Sequence, residues 1–166
     1  MEIQEMTARF AARYLNRGDV DAVFELSRKN KLFYQYHPPF VTKQSILEDM
    51  AALPPGKEKK DKHYFGFFDG SRLAAVMDLV LDYPQKGTAY IGLFMVEQSE
   101  QGKGTGSELI RGCAACLARW GYRRLRLAVD KGNPQSEAFW TKNGFIKTGE
   151  EVPNGALAYL PMERVL

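Results

Sequence analysis

Glycines at alternate positions follow an apolar run in the middle of the sequence. The stretch reads LFMVEQSEQGKGTGSELI over residues 93–110, with Gly102, Gly104 and Gly106 just before a segment of helical apolar spacing. A helix start leaves about four backbone N–H groups without partners, and its dipole favours an anion there. Glycines also remove the β-carbons that would keep a diphosphate away from the backbone. The pattern indicates a site for a phosphate-bearing ligand; the alternative is a turn that only packs a helix on a sheet.

The spacing of these residues excludes two common phosphate-binding motifs. A P-loop needs Lys followed by Ser or Thr, whereas Lys103 precedes Gly104, and Glu97 stands where the first glycine belongs. The dinucleotide fingerprint needs a third glycine where Ser107 stands. What remains is the pattern Gln-x-x-Gly-x-Gly over residues 101–106. A nucleotide-binding module is therefore disfavoured.

The segments around the glycines have the patterns of strands and helices that could position them. From His63, two apolar runs split by Asp69-Gly70 predict a β-hairpin, and TAYIGLFMV over residues 88–96 predicts a further strand. The remaining predicted elements are a helix over residues 107–122, a strand over 123–129, a short helix over 136–143 and two strands within 144–166. The glycines therefore lie where a strand leads into a helix.

The first third of the chain is predicted to be helical. Residues 19–30 and 42–53 have helical apolar spacing. Thr42 is a candidate N-cap of the second helix, and Ser45 with Glu48 has the spacing of a capping box. Helices, then an antiparallel meander, then a strand–helix–strand unit predict a mixed α/β (α+β layered) fold.

Composition limits the class of protein and its partners. The chain has 166 residues, 45% of them apolar, and a net charge of +3 with both signs interspersed, which fits one globular domain and gives no nucleic-acid footprint. We find no apolar stretch of the roughly 20 residues that span a bilayer, and the N-terminus does not have the pattern of a signal peptide. Cys113 and Cys116 share one predicted helix, which favours buried apolar residues over a metal site. These features fit a cytoplasmic protein.

A second motif turns the glycine pattern into a family resemblance. Residues 133–145 read NPQSEAFWTKNGF, an Asn followed by a short helix with an aromatic pair and a terminal Gly-Phe. Together with Gln-x-x-Gly-x-Gly after a strand, this resembles the GCN5-related N-acetyltransferase (GNAT) superfamily. The two motifs cover roughly residues 87–149, and the earlier elements match by order. The resemblance implies a single domain over residues 1–166, with a central mixed, mostly antiparallel sheet of about six to seven strands and about four helices.

The resemblance also implies how the chain would bind acetyl-CoA. The backbone of the strand end would pair with the pantetheine arm, the amides of the glycine loop would surround the pyrophosphate, and the hydroxyl of Thr105 or Ser107 would be available to help. Asn133 would hydrogen-bond the ligand near the strand ends. The predicted acyl-CoA-binding residues are Phe94, Met95, Val96, Gln101, Gly102, Lys103, Gly104, Thr105, Gly106, Ser107, Asn133 and Trp140.

Two positions depart from the family's pattern in ways that affect acid–base chemistry. The family often has a tyrosine acid where Trp140 stands, and indole has no usable acidity. Many members carry a glutamate where this chain has Gly92. Candidate substitutes are Asp78, Tyr90 and Tyr36, although Asp78 is equally well read as a solvent-facing residue of an alternating strand.

An aromatic stretch, FYQYHPPF over residues 33–40, is expected to shape the acceptor pocket. The residues predicted to bind the acceptor are Tyr34, Tyr36, His37 and Gly92, with Gly92 widening the pocket floor. His37 could act as a base, or it could be an exposed loop histidine. Aromatic side chains in such a loop could equally close the core.

The function implied by the resemblance is acetyl transfer from acetyl-CoA to a primary amine by direct attack in a ternary complex. The alternative is a non-catalytic acyl-CoA-binding regulatory domain of the same fold, which the missing tyrosine and glutamate favour. The acceptor is expected to be a small-molecule or peptide amine, without a metal, a nucleic acid or a membrane as partner. Dimerisation is common in the superfamily, so a homodimer is left open.

Overall fold

In the computed structural model, which describes residues 2–166, an eight-stranded sheet separates two layers of helices. The strands are β1 (Ala11–Tyr14), β2 (Lys62–Asp69), β3 (Arg72–Leu81), β4 (Thr88–Val96), β5 (Arg124–Asp130), β6 (Ile146–Lys147), β7 (Val152–Asn154) and β8 (Leu157–Val165). The α-helices are α1 (Val20–Arg28), α2 (Lys31–Tyr36), α3 (Lys43–Ala51), α4 (Thr105–Arg119) and α5 (Pro134–Lys142). Among these residues, no helix combines the length and apolar character needed to cross a membrane.

The strand order is β1-β2-β3-β4-β5-β8-β6, with β7 also pairing with β8. Among these strands every pairing is antiparallel except that of β4 with β5, which α4 joins by a crossover connection. The predicted mixed, mostly antiparallel sheet is therefore confirmed. It has eight strands instead of six to seven, and the described residues form five α-helices instead of about four.

Two elements near the N-terminus differ from the predictions: a strand lies in the first third that was expected to be helical, and a helix takes the place of an expected loop. β1 exists because Ala11–Tyr14 pairs with β2, a partner about 50 residues away that local periodicity cannot reveal. α2 takes up the aromatic stretch that was expected to be a loop. Thr42 is confirmed as the N-cap of α3, but its capping partner is Ser45, so the predicted Ser45–Glu48 box is wrong.

Each face of the sheet carries its own apolar core. On one face, Leu109, Ile110 and Leu117 of α4 pack in a cluster with the buried phenylalanines of β2. On the other, Val23 of α1 and Ile46 of α3 pack in a cluster with residues of β3 and β4. Fully burying one such side chain stabilises a fold by about 1.5–3 kcal/mol, so both faces hold the sheet firmly. Cys113 and Cys116 are buried in the first core, as expected.

Candidate active site

The two parallel strands in the middle of the sheet separate after a short pairing. β4 and β5 pair at only three positions, where Thr88–Tyr90 faces residues 124–126. Both strands continue beyond this point, β4 to Val96 and β5 to Asp130, and no described strand fills the gap between them. An unpaired strand edge can bind an extended, amide-bearing chain as an added strand. The gap therefore leaves a strand edge that an extended, amide-bearing chain could pair with.

The glycine loop closes one end of this gap. After a single 3-10 turn at Gln98–Glu100, the chain passes through Gly102 and Gly104, both at positive φ (72° and 85°), and α4 begins at Thr105. Gly104 is the N-cap, and no side chain caps this end of the helix. A β-carbon at Gly104 would meet nothing within 4 Å, so the space above the loop is open. An uncapped helix start with open space above it has backbone N–H groups without partners, which is the kind of site that binds an anion.

The loop is held from below by an ionic network. Glu100, which is 5% exposed, accepts hydrogen bonds from Arg72 at 2.8 Å, from Arg9 at 3.0 Å and from the hydroxyl of Thr105 at 3.0 Å. The hydrogen bond from Arg72 lowers the pKa of Glu100 below its usual range. The hydroxyl of Thr105 thus faces the interior. This corrects the expectation that it is available to a ligand, because Glu100 and Arg9 already bind it.

Two other predicted ligand-binding side chains are engaged within the protein. The amide of Gln101 donates to the carbonyl oxygen of Val96 at 2.9 Å and to Asn30 at 2.6 Å, and thereby fixes the end of β4. The side-chain oxygen of Asn133 accepts from the backbone N–H of Ser136 at 3.1 Å and caps α5. The cap uses this oxygen, so the predicted hydrogen bond from Asn133 to a ligand would come from its amide N–H groups.

The remaining residues predicted to bind acyl-CoA divide between the loop surface and the interior. Lys103 is exposed on the loop, and Ser107 is largely buried in the first turn of α4. Met95 is buried in the core formed with α1 and α3, and its backbone pairs with Val76 of β3, so it does not face the gap. Trp140 is 7% exposed and packs against Phe94 and Phe145, where it forms part of a cavity wall.

A cavity of about 430 Å³ lies between the separated strands and the layer of α1, α2 and α3. Its polar and aromatic wall residues are Ser27, Phe33, Tyr34, His37, Ser45, Asp49, Tyr64, Asp78, Tyr90, Phe94, Asp130, Ser136, Trp140 and Tyr159. Tyr36, predicted as a catalytic and acceptor-binding residue, is not among the residues that line this cavity. On a helix, residues 33, 34 and 37 share one face, and Tyr36 projects to one side of it.

A buried carboxylate occupies the floor of the cavity, at the place predicted to be widened by Gly92. Gly92 is the extra residue of a β-bulge, because Asp78 pairs with Leu93 and the next residue of β3 pairs with Ile91. A β-carbon on residue 92 would lie 2.8 Å from Oδ2 of Asp78. The carboxylate therefore fills the space that the missing side chain leaves, and the expected wider floor is wrong.

Lys62 holds this carboxylate in place. Its ammonium donates to Oδ2 of Asp78 at 2.6 Å, and the lysine side chain is only 7% exposed. Oδ1 of Asp78 has no hydrogen-bond partner among the described residues. Burial raises the pKa of Asp78, and the charge of Lys62 offsets part of that rise. The solvent-facing interpretation of Asp78 is excluded, since the residue is 8% exposed.

Other titratable groups surround the pair. Burial raises the pKa of Tyr64 well above its usual range and also raises that of Tyr90, so both phenols are neutral at neutral pH. Burial likewise raises the pKa of Asp49. On the opposite wall, Nδ1 of His37 lies 3.0 Å from Oδ1 of Asp130.

Lys62, Tyr64 and Asp49 were missed by the reasoning from sequence. A signal for the first two exists in the predicted hairpin, because Tyr64 pairs directly with Asp78 and Lys62 lies two residues earlier on the same face of β2. Nothing local identifies Asp49, which reaches the cavity only through the packing of α3.

Comparisons with known proteins agree with this geometry. A sequence model of the acetyltransferase (GNAT) family matches residues 21–145. A search of curated proteins finds no match.

The fold is similar to that of solved acetyltransferases. An acetyltransferase from Thermus thermophilus has a TM-score of 0.75 at 22% identity, covering 95% of this chain and 97% of the other. The PaiA N-acetyltransferase of Thermoplasma acidophilum, solved with coenzyme A, has a TM-score of 0.68 at 21% identity (95% and 99% covered). A spermidine N-acetyltransferase from Vibrio cholerae, solved with CoA and spermine, has a TM-score of 0.70 at 18% identity (96% of each covered). At these identities the likeness shows the fold alone.

Proposed function

Because the chain belongs to the acetyltransferase (GNAT) family, we propose that it transfers an acetyl group from acetyl-CoA to the primary amine of a small molecule or peptide. One observation carries the proposal beyond family membership. The gap between β4 and β5 connects an uncapped, glycine-rich helix start to a cavity that contains a buried carboxylate. A donor held along the gap would present its thioester to an acceptor in the cavity.

The donor would be held mainly by backbone groups. The unpaired edge of β4 around Phe94, before the Val96 carbonyl that Gln101 binds, suits the amides of pantetheine, and the N–H groups of residues 102–106 suit the pyrophosphate. Lys103, exposed on the loop, adds a positive charge beside the phosphates. Asn133 and Trp140 contribute by shaping α5, which borders the gap.

Asp78 is the proposed proton acceptor. Primary amines are protonated at neutral pH and cannot attack until the ammonium loses a proton. Asp78 takes that proton, and Lys62 keeps the carboxylate directed at the Gly92 bulge. The pKa of Asp78, raised by burial, makes the carboxylate a better base than an exposed aspartate.

Bound acetyl-CoA supplies the acetyl carbon: the amide C–N bond forms, the C–S bond breaks, and CoA leaves as a thiolate. The nitrogen loses its second proton to water as the bond forms, the thiolate takes up a proton from water, and Asp78 returns the first proton to the solvent. Thiols have a pKa of about 8.5, so the thiolate leaves near neutrality without a dedicated acid. Trp140 in place of a tyrosine is compatible with this route. Tyr90, neutral and on the cavity wall, is the remaining candidate donor of that proton.

Thiol release from acetyl-CoA, measured across a panel of primary amines, tests the proposal. We expect turnover with at least one amine and its loss in the Asp78→Asn variant. Calorimetry with CoA measures donor binding separately. Tight CoA binding without turnover on any amine would overturn the enzymatic proposal in favour of the acyl-CoA-binding regulatory domain.

A further inference from the structure

The acceptor cavity is lined by acidic residues although the chain as a whole carries +3. Three carboxylates line its wall, from Asp49, Asp78 and Asp130, and no lysine or arginine of residues 2–166 lines it. Asp78 is paired with Lys62, and Asp130 with His37. Asp49 forms no ion pair within the described part of the chain. The cavity therefore offers one carboxylate at its floor and a second, unpaired one on α3.

A buried hydroxyl in the same wall independently indicates a polar ligand. Tyr64 is 6% exposed, and its hydroxyl has no hydrogen-bond partner in residues 2–166. An unpaired buried hydroxyl is unfavourable, so a ligand group that binds it would relieve this loss. Tyr64 lies directly opposite Asp78 in the sheet, and the charges of Asp49 and Asp78 both contribute to the raised pKa of its phenol. The hydroxyl is thus within the field of both carboxylates.

We propose that the acceptor is a small diamine, whose reacting ammonium gives its proton to Asp78 and whose second ammonium pairs with Asp49 and donates to the hydroxyl of Tyr64. This inference rests on the proposed acetyltransferase function. Apolar wall residues, among them Val41 and Ile46, suit the methylene chain between the two nitrogens. An amine that carries a carboxylate in place of the second ammonium would be repelled by Asp49.

A matched set of acceptors tests the inference. Diaminoalkanes of increasing length are compared with monoamines that end in a methyl group and with ω-amino acids of the same length. We expect the best diamine to exceed its monoamine about tenfold in kcat/KM, the combined gain of an ion pair with the exposed carboxylate of Asp49 and a hydrogen bond to the buried hydroxyl of Tyr64. The amino acid of that length is expected to be the poorest acceptor.

Variants assign the preference to Asp49. In Asp49→Asn the ratio of diamine to monoamine kcat/KM is expected to fall to about one, whereas Glu48→Gln, the neighbouring acid outside the cavity, keeps the wild-type ratio. Tyr64→Phe should reduce the ratio several-fold. Calorimetric titration of the diamine into the protein saturated with CoA gives a readout without turnover, and Asp49→Asn should weaken that binding about tenfold.

The outcomes separate this inference from the proposed function. Equal kcat/KM for diamines and monoamines would overturn the diamine inference and leave acetyl transfer intact. Absence of turnover with every amine would overturn the enzymatic function. Calorimetric titration of diamines and monoamines would still show whether the cavity prefers a diamine. Diamine binding that is equally strong in wild type and Asp49→Asn would overturn the role of Asp49.

Discussion

The two halves of the candidate site are built from different parts of the chain and from different atoms. The donor half is one continuous segment, residues 91–107, and it presents mainly backbone groups: the free edge of β4 and the uncapped start of α4. The acceptor half is the cavity wall formed by α2, α3, β2 and β3, and it presents side chains brought together from distant positions. The donor half should therefore be sensitive to added atoms, and the acceptor half to the loss of particular charges.

The largest expected effect tests the donor half. Gly104→Glu places a β-carbon at φ 85° and a negative charge where the pyrophosphate would bind, so CoA affinity should fall by at least about 100-fold. Gly121→Glu is the matched control, because Gly121 has nearly the same φ (86°) and equally open surroundings at the other end of α4. Calorimetry with CoA should show near wild-type affinity for the control. Unchanged affinity in Gly104→Glu would refute the placement of the donor site.

The next effect tests the acceptor half by removing one charge. Asp78→Asn should lower kcat/KM about 100-fold, the usual contribution of a general base, with CoA affinity unchanged. In the wild type, kcat/KM should rise with pH as Asp78 loses its proton, at a pH above the usual aspartate range because burial raises its pKa. The variant should lack this limb of the profile. Asp69→Asn, an exposed acid of the same hairpin, is the control, and an identical pH profile in Asp78→Asn would exclude Asp78 as the base.

The same contrast explains how much could be predicted from sequence. The donor half is local, so the spacing of Gln101, Gly104 and Gly106 was sufficient to locate it between a strand and a helix, and the sheet class followed from element order. The acceptor half depends on cross-strand register and helix packing. The bulge at Gly92 has no local signature, because it follows from the pairing of β3 with β4. The buried pair of Asp78 with Lys62 follows from the register of the predicted hairpin, which reasoning from sequence did not work out.

Prediction from local sequence was also incomplete for polar side chains that form hydrogen bonds within the protein. Thr105 and Asn133 have side chains suited to bind a ligand, but the structure uses them to fix the loop and to cap α5. The sequence shows that such side chains can form hydrogen bonds, but it does not show that other groups of the protein already bind them. A buried acid such as Glu100 needs hydrogen-bond donors, and it takes the nearest hydroxyl, so that hydroxyl is no longer available to a ligand.

A smaller effect concerns the stability of the acceptor half. Lys62→Met leaves the buried carboxylate of Asp78 unpaired, which should reduce the free energy of unfolding by about 3–5 kcal/mol near neutral pH. Because the lost partner lowered the pKa of Asp78, that pKa rises further in the variant. The free energy of unfolding of the variant therefore falls as pH rises through the pKa of Asp78 in the folded state. Its deficit relative to wild type should be smaller in acid than near neutral pH.

Denaturant unfolding at several pH values measures this deficit. Lys60→Met, which removes an exposed lysine paired with Glu58, should have little effect. The double variant Lys62→Met with Asp78→Asn should recover part of the stability. A deficit that does not vary with pH would show that Lys62 acts through packing alone.

A still smaller effect shows whether the donor half depends on side chains behind the loop. Thr105→Val keeps the shape of the residue and removes the hydroxyl that binds Glu100 and Arg9, so the loop is held less firmly. CoA affinity should weaken about fivefold, as expected for one hydrogen bond of about 1 kcal/mol. Thr141→Val, an exposed threonine of α5, is the control in the same calorimetric experiment. A loss as large as that of Gly104→Glu would mean that the hydroxyl binds the ligand directly.

The smallest expected effect tests the geometry of α2. Tyr36→Phe should leave kcat/KM within about twofold of wild type, because Tyr36 lies outside the cavity although its neighbours Tyr34 and His37 line it. Tyr64→Phe, which also removes one phenolic hydroxyl, should reduce kcat/KM for the preferred amine, since that hydroxyl lies in the cavity wall. Rates for both variants on the same amine make the comparison direct. A large loss of kcat/KM in Tyr36→Phe would mean that α2 turns toward the acceptor when the ternary complex forms. The acceptor half would then be completed only when the ligands bind, whereas the donor half is already formed without them.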